Sequence, residues 1–358
     1  MRKTLLALAA ATLPFALTST AAAQYNATAG ASRPMARVPV AVHGTNGTIT
    51  WHDELQRPQA DRYGNAAGNQ YDLAVDGAFD GATVAVLQLY AFDFERARAA
   101  LREKGFSVYR WSGTAPSPSE LRASLARASQ FWLISGSTQT LTDAHLQVLQ
   151  DFFNAGHGVY IWGDNEPYYA DANALAQRLF RGGMDGNLLG SQVVSLQRTP
   201  EGVGIRGDHL ISTGIEQLFE GITIATIRPN DSLTPLLYGS AGNLVTAFYD
   251  HDGRRAILDG GFTRLYNNWD TAGTARYVKN AASWLANAER FGTAVVAHGV
   301  TIGAAPTTSP PTTVAALRNV RRGTGGGPSS PLSYNLAVAI AAVCVITLKP
   351  PCGVSGAS

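Results

Sequence analysis

Short strand-like segments alternate with amphipathic stretches through the middle of the chain. The predicted strands are Val84–Tyr90, Ser107–Trp111, Phe131–Ser135 and Val159–Trp162. Two of them, VAVLQLY and VYIW, are almost wholly apolar, which is typical of strands covered on both faces. Apolar residues at helical spacing predict helices over Asp93–Lys104, Ser119–Ala128, a stretch starting after Thr142, and Asp171–Phe180. This alternation predicts an α/β fold whose doubly wound, mostly parallel sheet is flanked by helices.

The C-terminal half carries shorter strand patterns that we expect to be partly antiparallel. They cover Val193–Leu196, Thr223–Ile227, Leu244–Tyr249 and Ala256–Asp259. A last helix over Thr274–Ala288 is expected to pack back on the sheet. Frequent Gly and Asn before residue 82 predict an irregular extension with a hairpin around Val38–Trp51.

The two ends differ in composition from the middle. Met1-Arg2-Lys3, an apolar run over Leu5–Leu17 and the small residues Ala21-Ala22-Ala23 have the pattern of a secretory signal peptide. We therefore expect an exported protein, periplasmic or extracellular. The predicted organisation is a signal peptide (1–23), an irregular N-terminal extension (24–82), an α/β domain (83–300), a Pro/Thr/Gly-rich linker (301–335) and an apolar tail (336–358).

The apolar tail has two open interpretations. Leu336–Leu348 carries no charge but is shorter than the ~20 residues that cross a membrane. It is either a poorly ordered tail or a weak membrane or envelope anchor.

Composition narrows the function classes. Only 15% of the 358 residues are charged, and 28 basic against 26 acidic side chains give a net charge of +2. This balance excludes a disordered chain and argues against a nucleic-acid partner. The sequence contains no phosphate-binding glycine motif after a strand and no helical metal-binding histidine pair, so we expect neither a cofactor nor a metal. Both cysteines, Cys344 and Cys352, lie in the tail, outside the predicted domain.

In a parallel sheet, ligands bind beyond the carboxyl ends of the strands. The loop after Trp162 is the most polar and aromatic of these. Its candidate ligand-binding residues are Asp164, Asn165, Glu166, Tyr168 and Tyr169. They suit a cation or a sugar-like polyol. The alternative is structural: Asp171 caps the next helix, Glu166 is solvated and the tyrosines pack.

A second group follows the strand ending at Asp259. Its candidates for ligand binding are Gly260, Gly261, Thr263 and Arg276. Paired glycines allow a tight turn or a close backbone approach. Arg276 either faces a ligand or pairs with Asp270 or Asp259 to brace the last helix.

Two histidines bear on catalysis. His209 is the one that could reach a strand-end cleft, although packing or capping is the alternative. His145 lies on the helix after Thr142, where we expect it to be solvated.

Residues Phe131–Phe180 resemble the class I glutamine amidotransferase-like domain, a flavodoxin-like α/β fold. The matching features are the strand and turn FWLISGST, the helix LTDAHLQVLQDFFNAG and the strand Gly158–Gly163. A looser resemblance extends to Val84 and to Leu285. In that family the last strand delivers a cysteine nucleophile on a sharp turn, inside a G-x-C-x-G pattern.

This chain has no nucleophile at the corresponding turn. Tyr160–Asn165 contains no Cys, Ser or Thr, so no acyl-enzyme can form there. The resemblance therefore implies a non-catalytic domain that binds a small molecule, carbohydrate or protein, or acts as a scaffold in the cell envelope. One alternative is a hydrolase using Asp164 or Glu166, with His209 or a divalent cation. The other is a structural module tethered through the linker and tail.

Overall fold

The computed structural model describes residues 24–291 and the short pieces 296–297 and 300–301. The predicted signal peptide, the linker beyond Thr301 and the apolar tail lie outside the described residues.

The strands are β1 (Ala36–His43), β2 (Ile49–Gln56), β3 (Thr83–Gln88), β4 (Ser107–Ser112), β5 (Gln130–Ile134), β6 (Gly158–Trp162), β7 (Met184–Leu189), β8 (Val193–Ser195), β9 (Gly204–Ile205), β10 (Gln217–Phe219), β11 (Thr223–Ile227), β12 (Thr234–Tyr238), β13 (Leu244–His251), β14 (Arg254–Asp259), β15 (Val296–Ala297) and β16 (Val300–Thr301). The helices are α1 (Glu95–Glu103), α2 (Pro118–Leu125), α3 (Asp143–Asn154), α4 (Ala170–Phe180), α5 (Thr274–Leu285) and α6 (Ala288–Phe291).

An eight-stranded sheet of order β4-β3-β5-β6-β14-β13-β12-β9 forms the centre. Its first five strands pair in parallel. Numbered along the chain, these five have the order 2-1-3-4-5, which is that of flavodoxin-like sheets. The topology confirms the predicted doubly wound, mostly parallel α/β fold. The strand order reverses between β3 and β5, where this fold class places its ligands.

The sheet is covered on both faces. Val84 and Val86 contribute to the core on the side of α1 and α5. Their neighbours Ala85 and Leu87 contribute to the core on the side of α2, α3 and α4. This explains why β3 reads as a continuous apolar run rather than an alternating one. The α5 helix packs back on the sheet as predicted.

The C-terminal strands are antiparallel, as expected, but only part of them joins the main sheet. Strand β14 pairs in parallel with β6 and antiparallel with β13, which in turn pairs with β12. The predicted strands at β8 and β11 instead form separate two-stranded ribbons with β10 and β7. The sequence does not predict strands β7, β9, β10 and β12, because these segments are only two to six residues long and lack a clear apolar alternation.

Helices α1 and α4 end within one residue of the predicted positions, whereas α2 and α5 end at Leu125 and Leu285, three residues before the predicted Ala128 and Ala288. Gly105 and Gly156 follow α1 and α3 with φ of 91° and 101°, values that glycine adopts without steric cost. Thr142 caps α3. The expectation that His145 is solvated was wrong, since its side chain is buried. Its Nδ1 lies 2.8 Å from Thr142 Oγ1 and its Nε2 lies 2.7 Å from the Pro116 carbonyl, so it joins two loops.

The N-terminal segment contains the predicted hairpin, formed by β1 and β2. Residues 72–82 also contribute to the main core, with Leu73 and Phe79 fully buried. Asp72 holds this segment to the domain: its carboxylate contacts Lys104 at 2.9 Å, Lys279 at 2.7 Å and Arg276 at 2.7 Å.

Candidate functional site

The β6 strand is central in the sheet, and the loop after it begins inside the protein. Asp164 is fully buried. Its Oδ1 accepts hydrogen bonds from the Asn165 amide at 2.9 Å and the Thr223 hydroxyl at 3.0 Å. Its Oδ2 accepts one from the Thr263 amide at 2.9 Å. The carboxylate therefore joins the β6 loop, β11 and the turn after β14.

Burial raises the pKa of Asp164 from 3.8 to about 6, and the hydrogen bonds from Asn165, Thr263 and Thr223 oppose this shift. A pKa in this range suits a general acid or base near neutral pH. The carboxylate, however, is occupied by protein donors and has no exposed surface, so it does not contact solvent directly.

The rest of this loop reaches the surface. Glu166 is exposed, and Asn165, Tyr168 and Tyr169 are partly exposed. The Glu166 amide donates to the Gly186 carbonyl at 3.0 Å, which ties the loop to β7. Burial, followed by the charge of Glu166, raises the pKa of Tyr169, so its hydroxyl stays protonated. None of residues 162–166 has a positive φ, unlike the strained turn of a nucleophile elbow.

The paired glycines after β14 serve close packing. A Cβ on Gly260 would lie 2.7 Å from the Ala225 carbonyl oxygen, and one on Gly261 would lie 2.7 Å from the Glu220 carbonyl oxygen. Both glycines are buried, as is Thr263, whose hydroxyl accepts from the Ile222 amide at 3.0 Å. These three positions thus hold the turn against β11.

A buried polar network that the sequence did not reveal lies behind this turn. Asp259 Oδ2 accepts from the hydroxyls of Tyr160, Tyr277 and Thr246 at 3.2, 2.8 and 3.0 Å. Arg264 Nη2 lies 3.0 Å from Asp259 Oδ1, and both side chains are fully buried. Burial raises the pKa values of both tyrosines, which keeps them protonated as donors. Asp259 and Arg264 lie only five residues apart in the sequence, but no local pattern indicates that Tyr160 and Tyr277 join them.

Arg276 does not lie at this edge. It pairs with Asp72, so the predicted pairing with Asp270 or Asp259 was wrong, and its Nη1 donates to the Gly214 carbonyl at 2.8 Å. Asp259 is paired with Arg264 instead, and Asp270 with Arg96 at 3.3 Å.

His209 also lies apart from Asp164. Its ring packs on Phe248 and Trp284, with ring centroids 4.1 and 5.2 Å away. Its Nδ1 accepts from the Ile211 amide at 3.2 Å. Burial lowers the pKa of His209 to about 4, so the ring is neutral at pH 7. It shares no contact with Asp164, and the two do not form a dyad.

Partly exposed aromatic side chains gather at the carboxyl ends of β3, β6 and β14. The aromatic patch consists of Tyr90, Phe92, Tyr168 and Tyr266. Ring centroids are 5.0 Å apart for Tyr90 and Tyr168, and 4.5 Å apart for Phe92 and Tyr266. The buried ring of Phe262 lies beneath, 5.2 Å from Tyr90. Of these residues the sequence singled out only Tyr168, because the others come from separate loops.

Asp164 lies close behind the aromatic patch. The Asp164 amide donates to the Tyr168 carbonyl at 3.2 Å, and the Phe262 amide donates to the Gly163 carbonyl at 3.0 Å. Burial raises the pKa of Tyr266, with contributions from Tyr90 and from the Asp164 charge. Hydrogen bonds therefore join the β6 loop to the turn after β14 beneath the patch.

The loop after β5 completes this edge of the sheet. Ser135 Oγ accepts from the amides of Asp171 and Ala172 at 3.0 and 3.1 Å, at the start of α4. Asp171 does not cap its own helix; its carboxylate accepts from the Thr140 and Leu141 amides at 2.8 and 2.7 Å. Residues 137–140, in the loop between β5 and α3, are exposed and polar.

Within residues 24–291, no three His, Cys, Asp or Glu side chains converge in a way that could hold a metal ion. The helices in the described part of the chain are all too short or too polar to cross a membrane. A surface cavity of about 500 Å³ lies between the 197–208 segment and β12. None of the site residues predicted from the sequence lines it, although its lining residue Asp208 precedes His209 in the chain.

No protein family matches the sequence, and no curated protein matches it either. Part of the chain is similar to several solved structures, at low identity and low TM-score. A GMP synthase-like protein from Thermoplasma acidophilum is 10% identical over 58% of this chain and 96% of its own, with a TM-score of 0.36. A ThuA-like protein from Parabacteroides merdae is 11% identical over 58% and 90%, with a TM-score of 0.38. PurLQS from Thermotoga maritima is 9% identical over 57% and 99%, with a TM-score of 0.33. At these scores the similarity carries no information on activity, and the fold class rests on the strand order.

Proposed function

We propose that this chain is an exported, non-catalytic α/β domain that binds carbohydrate at the carboxyl edge of its parallel strands. The observation that carries the proposal is the aromatic patch, four partly exposed rings from three loops at one edge of the sheet. Ligands of this fold class bind at that edge, next to the point where the strand order reverses.

The chemistry of the patch suits a sugar ring. A pyranose has an apolar face that packs on an aromatic ring and hydroxyls that need polar partners. Tyrosine supplies both in one side chain. Asn165 and Glu166, beside the patch on the β6 loop, add amide and carboxylate groups at its rim. An apolar surface with a few polar groups is typical of small-molecule sites.

The support beneath the patch favours binding over catalysis. Asp164, the candidate base with a pKa of about 6, uses its hydrogen bonds on Asn165, Thr223 and Thr263. No Cys, Ser or Thr occupies residues 160–165. The acidic group thus holds the loops in place and does not face a substrate.

Binding is tested with the full chain and two soluble probes, a chitin and a cellulose oligosaccharide, using calorimetry and amide shifts. We expect Tyr90→Ala and Tyr168→Ala each to weaken binding about 10-fold, the loss that one stacked ring of about 1–1.5 kcal/mol predicts. Tyr109→Ala is the matched control, because Tyr109 is 46% exposed but lies on edge strand β4.

Absence of binding by both probes, or equal loss in the control, would refute carbohydrate binding at the patch. A hydrolase remains the alternative function, favoured by the raised pKa of Asp164. Release of reducing ends that Asp164→Asn abolishes would establish it in place of the binding role.

Export and envelope association complete the proposal. They are supported by the pattern of residues 1–23 and by the linker and apolar tail beyond residue 300. Fractionating cells that produce the chain with and without residues 305–358 tests the association: an unchanged distribution contradicts it.

A further inference from the structure

The β1–β2 hairpin is the most exposed regular element among the described residues. Each strand is eight residues long, with Ala36 opposite Gln56 and His43 opposite Ile49. Every residue of β2 is exposed. The two strands pair with each other and with no other described strand. A two-stranded hairpin is only marginally stable in water, and a third strand is usually needed.

The hydrogen-bond pattern shows which backbone groups of β2 face outward. The Gly44 amide donates to the Thr48 carbonyl at 2.7 Å and closes the hairpin. Bonded and non-bonded pairs alternate from there, so Thr50, His52 and Glu54 bond to β1. The N–H and C=O groups of four residues therefore point away from β1, namely Ile49, Trp51, Asp53 and Leu55. In the part of the chain that the structure describes, no backbone hydrogen bond reaches them.

The two edges of the hairpin are not equivalent. Pro39, opposite Asp53, occupies an outward-facing position on β1 and offers no N–H there. Proline at such a position protects an edge from pairing with another strand. β2 contains no proline, so only its edge is open along its full length.

The side chains on the open edge are mostly apolar. Ile49, Trp51 and Leu55 share one face of β2 and are 54%, 68% and 57% exposed. Apolar side chains this exposed on an unpaired strand mark an interaction surface.

We propose that β2 pairs antiparallel with β2 of a second copy of this chain. The edge is self-complementary in one register that uses all four outward N–H groups. It places Ile49 against the partner's Leu55, Trp51 against the partner's Asp53, and His52 on the two-fold axis. Other two-fold registers leave part of the strand unpaired or set Asp53 against the partner's Asp53. The product is a four-stranded sheet, β1-β2 continued by the same pair from the partner. This inference does not depend on the carbohydrate site.

The first test removes one outward donor. In analytical ultracentrifugation of the full chain, from about 10 μM to about 1 mM, we expect a concentration-dependent dimer, since an interface this small binds weakly. Asp53→Pro should weaken it at least 10-fold, because it removes two symmetry-related hydrogen bonds. Ala41→Pro is the matched control: it also lies at an outward position, but on the blocked β1 edge. Asp53→Asn keeps the N–H and should still dimerise.

A chain that stays monomeric at 1 mM, or a dimer that Asp53→Pro and Ala41→Pro affect equally, overturns the proposal. The register has its own test in a chain with Cys344 and Cys352 replaced by Ser. Air oxidation with copper–phenanthroline should cross-link His52→Cys, whose Cα atoms would be about 4.5 Å apart across the axis. Thr50→Cys should not cross-link, because its two copies would be about 14 Å apart. Equal cross-linking of both variants contradicts the register.

Discussion

The buried carboxylate of Asp164 is a polar group that the protein uses internally although its sequence position suggests a ligand site. Loops at strand ends carry both ligand-binding residues and residues with an internal structural role, and the sequence alone does not distinguish the two. The distinction comes from Thr223 and Thr263, which approach Asp164 from elements 59 and 99 residues away. Such partners are invisible to a local pattern.

The raised pKa of Asp164 predicts a pH dependence of stability. Its folded-state pKa of about 6 exceeds the unfolded value of 3.8, so the folded state binds the proton more tightly. The free energy of unfolding therefore decreases as pH rises from about 4 to about 6. We expect this decrease to be about 3 kcal/mol larger in the native chain than in Asp164→Asn. Urea unfolding of both proteins across this range measures it; parallel pH profiles would contradict the assignment.

Asp72 predicts a large effect of a single buried charge. Burial alone raises its pKa, but the charges of Lys279, Lys104 and Arg276 outweigh burial and lower it. Among the described residues, Asp72→Asn leaves the fully buried Lys104 ammonium with only Asp76 as a charged partner. We expect the free energy of unfolding to fall by about 3–5 kcal/mol.

Asp270→Asn is the control for that measurement. Its pair with Arg96 is exposed on both sides, so the expected loss is below about 1 kcal/mol. Equal losses in the two variants, measured by denaturant unfolding, would show that the Asp72 cluster does not brace the N-terminal segment.

At the scale of elements, the contact of β6 with α5 depends on one missing side chain. A Cβ on Gly158 would lie 2.2 Å from the Leu285 carbonyl oxygen, and Gly158 does not have a positive φ. Gly158→Ala should therefore destabilise the fold by about 1–3 kcal/mol, because strand and helix end must separate.

Gly182→Ala is the comparison. Gly182 also lacks a positive φ, but its nearest neighbours would lie 3.5 and 3.6 Å from an added Cβ. We expect a change within about 1 kcal/mol, or a slight gain from the stiffer unfolded chain. Thermal unfolding compares the two variants, and a loss in Gly182→Ala as large as in Gly158→Ala would argue against the steric explanation.

For the whole molecule, the parallel half of the fold and the part of the site on the loop after β6 were predictable, and the rest of the site was not. Doubly covered strands such as β3 and β6 are continuous apolar runs, and Gly105 and Gly156 follow helices α1 and α3, so local signals suffice. The aromatic patch depends on which loops meet at one edge. Tyr90 and Tyr266 are far apart in sequence and come together only because β3 and β14 lie in the same sheet.

The position of β14 also has a consequence for how the chain acquires its fold. It separates β6 from β13, yet residues 163–253 must be synthesised between β6 and β14. During translation, the part of the chain that ends at Trp162 therefore emerges before β14, and the edge of β6 that pairs with β14 stays uncovered until then. Closure of the central ladder is a late, non-local event, which slows folding and lengthens the time at risk of aggregation.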